Sequence, residues 1–178
     1  MKKQLITLLL FLPIICFAQK VNVKVDDFTG EKVITTEWEK IYTGGMTGKN
    51  QTRARFRHEN NRDYIEFRIF CDEVTSCKKD AKILFKTENG IIETRNIEYA
   101  LSEPGAWSPS GINKKLGIYL ICTGDLSKLG TTTVQKIRIT YSDGYEDLEL
   151  KGKDAKVLKE LFAAFKNVNG KSAMDKYK

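Results

Sequence analysis

The chain has 178 residues, with 30 Lys and Arg against 23 Asp and Glu, a formal net charge of +7 and one histidine. That length suits one domain with a proper hydrophobic core. The basicity is mild and mixed in sign, without the stripe that marks a nucleic-acid interface, and a lone histidine leaves little for a zinc site or a histidine-dependent triad.

Residues 1–18 read MKKQLITLLLFLPIICFA. Lys2 and Lys3 precede an apolar run over 5–15, broken only by Thr7 and Pro13, and Cys16 and Ala18 put small residues at −3 and −1 of a cut before Gln19. This is the layout of a secretory signal peptide, and the run is shorter than the roughly 20 apolar residues a spanning helix needs. Pro13, Ile14 and Ile15 ahead of Cys16 do not make a lipobox. The sequence therefore predicts a signal peptide over 1–18 and an exported product, periplasmic or extracellular, with no transmembrane segment after cleavage. Without the leader, 28 basic residues face 23 acidic ones. Export argues against a nucleic-acid partner and leaves a weak attraction to anionic envelope components.

Beyond the leader, short β-like runs alternate with turn residues. VNVKV at 21–25 places valine on one face, and KVITTEWEKIY at 32–42 is rich in β-branched and aromatic residues. RARFR at 53–57 and YIEFRIFC at 64–71 flank the polar turn HENNRD. AKILFK at 81–86 and IIETRNIEY at 91–99 flank a turn containing Asn89-Gly90, a strong hairpin signal. LGIYLIC at 116–122, nearly all apolar, reads as a central strand. VQKIRITY at 134–141 and YEDLELK at 145–151 meet across Ser142-Asp143-Gly144. Residues 125–129 form at most one helical turn before Gly130. The convincing helix lies over 153–170, where Ala155, Leu158, Leu161, Phe162, Phe165 and Val168 recur at three and four. Asp154 is placed to cap it and Asn169-Gly170 to end it, with 171–178 as a polar tail. The fold class is mainly β: a single-domain antiparallel β-sandwich or barrel-like sheet over 19–170 with one C-terminal amphipathic helix.

The run VDDFTGEKVITTEWEKI at 25–41, with strands joined by tight turns and a helical ending, resembles small exported proteins of Bacteroidota with no assigned activity. The resemblance implies an exported β-rich domain and carries no functional residues.

Few constellations carry chemistry. His58 stands beside a turn with no G-x-S-x-G elbow elsewhere, which is no triad. GGMTGKN at 44–50 leaves three residues between glycines where a phosphate loop has four, and ends in Asn50 rather than a hydroxyl. No metal-ligand spacing and no cofactor motif is found, and the sequon at Asn50 is expected to stay unmodified in a bacterial chain. Arg53, Arg55 and Arg57 alternate along one strand face, and Arg68 on the partner strand joins them because Ile65, Phe67 and Ile69 take the other face. Such a ladder can grip carboxylate, sulfate or phosphate groups, with Glu66 among the acids that balance it. Trp107, in the Pro- and Gly-rich segment 101–111, can stack on a sugar or anchor a partner; as readily it folds back over the core. Trp38 is expected in the core or half-core.

Export also governs the cysteines. Cys71 and Cys77, six apart, are expected to pair as a disulfide, with Cys71–Cys122 as the rival pairing and Cys122 otherwise a buried thiol. The leading functional expectation is a non-enzymatic exported β-sandwich that binds an anionic glycan or an envelope protein. One alternative is a small glycosidase-like hydrolase centred on Glu37 or Glu39, which requires a cleft with two carboxylates roughly 5 to 9 Å apart. The other is an inhibitor or assembly factor that engages a protein partner through the helix or a free strand edge.

Overall fold

The computed structural model describes residues 21–25, 27–44, 50–104 and 116–174. The leader, most of the 44–50 glycine run and Trp107 lie outside the described residues.

In chain order the strands are β1 (Val21–Val25), β2 (Lys32–Thr36), β3 (Glu39–Gly44), β4 (Asn50–Glu59), β5 (Arg62–Cys71), β6 (Ser76–Cys77), β7 (Lys82–Thr87), β8 (Gly90–Asn96), β9 (Ala100–Leu101), β10 (Glu103–Pro104), β11 (Leu116–Gly124), β12 (Val134–Tyr141) and β13 (Gly144–Glu149). A 3₁₀ turn, Leu126–Gly130, follows β11, and the helix α1 (Asp154–Met174) closes the described chain. The large antiparallel sheet runs β1-β2-β4-β5-β11-β8-β7-β12-β13, with β3 beside β4 and β10 beside β11; β6 and β9 form a separate two-stranded ribbon.

The period-two pattern decides which face is core. On β5 the side chains of Ile65, Phe67 and Ile69 are buried inward, and on the facing strands so are Ile118, Leu120, Ile83, Phe85, Ile137 and Ile139. The sheet curls, because Phe67 of β5 and Phe85 of β7 stack with ring centroids 6.2 Å apart although two strands separate them in the sheet. The two halves of one sheet thus face each other across a shared core, a sandwich-like arrangement. Among the described strands the path does not close into a barrel. Helix α1 covers the remaining apolar surface: Leu158, Leu161, Phe162 and Phe165 are buried against it. The predicted stripe is therefore used mainly inside the molecule, with Ala155 and Val168 half-buried at its ends.

Turn chemistry sets the register. Asn60 and Asn61 have φ of +50° and +59°, a type I′ turn that brings β4 and β5 together with two residues. This extends both strands beyond the expected 53–57 and 64–71. At the other two hairpins the glycine sits just past the turn rather than in it: Thr87 faces Gly90 and Tyr141 faces Gly144.

Two expectations are corrected. The run at 32–42 is not one strand. It follows a single edge of β4, but β2 meets that edge at Arg57–His58 and β3 at residues 50–54, with a break at Glu37-Trp38 and a register shift near Lys40. The helix also does not stop at Asn169-Gly170 but continues to Met174. A helical glycine costs only about 1 kcal/mol, too little to end a helix by itself. Asp154 is its first helical residue, in the acid-favouring first turn. The expected central strand is found, since β11 is fifth of the nine along the path.

Candidate functional site: the arginine face

The alternation that buries Thr52, Ala54 and Phe56 of β4 turns Arg53, Arg55 and Arg57 to the outer face of the sheet. Register then fixes their neighbours on β5: Arg53 lies opposite Arg68, Arg55 opposite Glu66 and Arg57 opposite Tyr64. Tyr119 of β11 adjoins Arg68 from the other side. The four arginines named from the sequence are thus brought together on one surface.

Glu66 organises that surface. Its side chain is fully buried although it points away from the apolar core. Arg55 Nε meets its Oε2 in a close ion pair, and Arg57 Nε lies 2.8 Å from its Oε1. The second contact is near enough for charge attraction but is poorly aligned, so neither atom gains a hydrogen bond from it. Arg57 also reaches Glu59, at 3.4 Å. The Tyr119 hydroxyl faces the same carboxylate; burial first, and then the Glu66 charge, push its pKa up to about 12.

Trp38 completes the group. At the break between β2 and β3 its ring lies over the outer face, with the Arg68 guanidinium 4.4 Å and the Arg55 guanidinium 4.6 Å from its centroid. Tyr119 meets it edge-on at 6.1 Å. Trp38 is half-buried, as expected, but over the arginines rather than in the core. Sequence alone missed this because the placement depends on the break along the β4 edge. Burial, followed by the positive charges of Arg55 and Arg53, lowers the pKa of Arg68. Arg53 and Arg68 stand directly opposite each other across the strand pair, an arrangement that is unfavourable by itself. His58 pairs with Asp63, Nδ1 to Oδ1 at 2.7 Å, and Lys166 of α1 contacts the same carboxylate.

A concave feature lies elsewhere, at the mouth of the curled sheet. It is a cavity of about 350 Å³ between the end of β5 and the β12–β13 turn, lined by Cys71, Asp72, Glu73, Tyr141, Asp143 and Glu146 among others. Neither Glu37 nor Glu39 lines it; Glu37 is exposed and Glu39 half-buried at the β2–β3 break. Glu146 faces inward opposite Ile139, and the Tyr141 hydroxyl lies 3.3 Å from its Oε2. Burial raises its pKa, and Asp72 adds to the effect. A raised folded-state pKa means the protonated form favours the fold. That contribution is complete below the unfolded value of about 4.3 and is lost as pH rises through the folded value. Glu146→Gln removes the charge and keeps the hydrogen-bonding shape. It is expected to be slightly more stable than the parent at pH 7, within about 1 kcal/mol, with the gap narrowing as pH falls toward 4. Urea unfolding at several pH values measures this; a constant gap would show that Glu146 does not titrate between the two states.

Cys71, Cys77 and Cys122 are free and buried in the structure. No protein-family model, curated protein or solved structure matches the chain, so function is argued from the chemistry of these sites.

Proposed function

We propose that the protein is an exported, non-enzymatic β-sandwich that binds an anionic group on the outer face of β4 and β5, at the periplasmic or extracellular side of a bacterial envelope. Export rests on the leader-like residues 1–18, and an oxidised cysteine pair belongs to the same reading. The carrying observation is the cluster of four guanidiniums beside an aromatic ring on this face. Glu66, a fully buried carboxylate, is engaged by Arg55 and Arg57, while Arg53 lies opposite Arg68 and the Arg68 guanidinium lies over Trp38. Guanidiniums present paired donors to planar carboxylate, sulfate or phosphate oxygens, and an aromatic ring beside them suits a sugar that carries such a group. Ligands of this class are anionic glycans and acidic segments of envelope proteins.

The test is titration of the purified protein with sulfated, phosphorylated and uronate-containing oligosaccharides and with acidic peptides. The Arg53→Ala/Arg68→Ala variant is expected to bind at least about tenfold more weakly, and the parent's affinity to fall with added salt. Binding that is unchanged in the double variant would remove this face as the site. The hydrolase alternative moves from Glu37 and Glu39 to the mouth cavity, where Glu146 and Asp72 are neighbours. Glycoside hydrolysis by the parent that is silent in Glu146→Gln would favour it.

A further inference from the structure

The register sets Cys71 and Cys122 at opposite ends of one strand pair and leaves Cys77 to be placed by its neighbours. Cys71 faces Leu116 at one end of the β5–β11 pair, and Cys122 faces Ile65 at the other. Six residues of extended strand separate them, roughly 20 Å, whereas a disulfide needs Cα atoms within about 7 Å. A Cys71–Cys122 bond would require the central strands to come apart.

Cys77 stands at the Cys122 end. Cys122 lies directly opposite Asn96 where β11 meets β8. Asn96 is fully buried and reaches the Cys77 segment through several bonds. Its Nδ2 donates to the Lys78 carbonyl at 3.1 Å, and its backbone carbonyl accepts from Asp80 N at 2.8 Å. The Cys77 thiol donates to the Thr140 carbonyl at 3.3 Å and neighbours the Asn96 carboxamide, whose Oδ1 has no hydrogen-bond partner. Cys77 and Cys122 are both fully buried, whereas Cys71 keeps some exposure. The presence of Cys77 is also one of the reasons, after burial, that the Cys122 thiol resists ionisation.

We propose that Cys77 and Cys122 are the native disulfide pair, and that Cys71 is left as the single thiol, in the wall of the mouth cavity. The bond joins the β6–β9 ribbon to the central strand β11. β11 pairs with β8 only through its last three residues, so this is where the sheet most needs a tie. Formation is a thiol–disulfide exchange with an oxidising disulfide. The two thiols lose their protons and together give two electrons to the oxidant, one sulfur–sulfur bond forms, and the oxidant leaves as two thiols. With both thiols at the core, exchange takes place before the ribbon docks during folding. The bond replaces the expected Cys71–Cys77 staple.

Trypsin separates the possibilities. Cleavage after Arg68, Lys78, Lys115 and Lys128 puts Cys71 and Cys77 together in residues 69–78 and Cys122 in residues 116–128. The full chain is expressed with its own leader, recovered from the oxidising compartment, alkylated unfolded without reductant and mapped by mass. A parallel sample, purified reduced, is folded with oxidised glutathione. The expected result in both is peptide 69–78 linked to peptide 116–128 with one alkyl group, on Cys71, and the same link in Cys71→Ser. Reduction is expected to lower the melting temperature by roughly 10 °C, as for a closed loop of this size. An internal bond within peptide 69–78, or three alkylated cysteines in the glutathione-folded sample, would overturn the assignment.

Discussion

Replacing Glu66 by Gln is expected to destabilise the protein by about 3 kcal/mol, within the range of 3–5 kcal/mol for breaking a buried ion pair. The carboxylate is fully buried and its two ion-pair partners are guanidiniums whose side chains are only 21 to 25 % exposed. Without the charge, Arg55 and Arg57 keep most of their desolvation and lose the partner that offset it, while Arg53 and Arg68 add repulsion across the strand pair. The effect should be asymmetric. Arg57→Met leaves Glu66 with Arg55 and is expected to cost less than Glu66→Gln. Replacing Glu66, Arg55 and Arg57 together by apolar residues is expected to recover much of the loss, because an apolar triad carries no desolvation penalty. Urea unfolding of the three variants measures this, and the first corresponds to a fall in melting temperature of roughly 10 °C. A loss below about 1 kcal/mol for Glu66→Gln would mean that the arginines reach water freely, and that Glu66 does not hold the face together.

Phe56→Ala should be costlier, at about 3–5 kcal/mol. Phe56 is fully buried on the inner side of β4, the strand whose outer side carries the arginines. Its ring meets Phe162 edge-on at 5.0 Å and stacks on Phe165 at 5.7 Å. Removing it opens a cavity where α1 rests on the sheet, and it withdraws aromatic contacts that area alone does not count. Hydrogen exchange should then show earlier opening of α1 than of β5 and β11. Phe56→Leu keeps most of the volume and is expected to cost less than half as much. Equal losses in the two variants would show that the aromatic cluster contributes nothing beyond volume. The arginine face also depends on this contact, since one backbone holds both sides of β4.

The two substitutions separate what a linear reading can and cannot reach. Alternation in RARFR and YIEFRIFC was enough to put three arginines and Arg68 on one side and Ile65, Phe67 and Ile69 on the other, because strand side chains change face at every residue. The same rule could not say that Glu66, formally on the solvent side, would be fully buried. Its burial comes from long side chains of three strands and Trp38 closing over it, which no local pattern encodes. Trp38 was placed near the core because its neighbours are β-branched; the break at Glu37-Trp38 turns it outward, and that break exists only because β2 and β3 share one edge of β4. The acidic cavity was invisible for a related reason. Asp72 and Glu146 are more than seventy residues apart in sequence, and only the curl of the sheet brings them together. Spacing reports short loops and so pairs Cys77 with Cys71, whereas Asn96, which bonds the neighbour of Cys77 and lies opposite Cys122, belongs to the junction of two distant strands.

The β-rich class, most strands, the helix with its buried stripe and the four arginines that share a face are legible in the sequence alone. All of these follow from periods of two and 3.6, from turn residues and from composition, which act over a few neighbouring positions. Which charges meet, where Trp38 lies, that a carboxylate-lined cavity opens at the mouth, and that Cys71 and Cys122 stand at opposite ends of a strand pair come from the tertiary structure alone. Those depend on strand order and on how the sheet bends over its core, where residues distant in the chain settle one another's charge and solvent exposure.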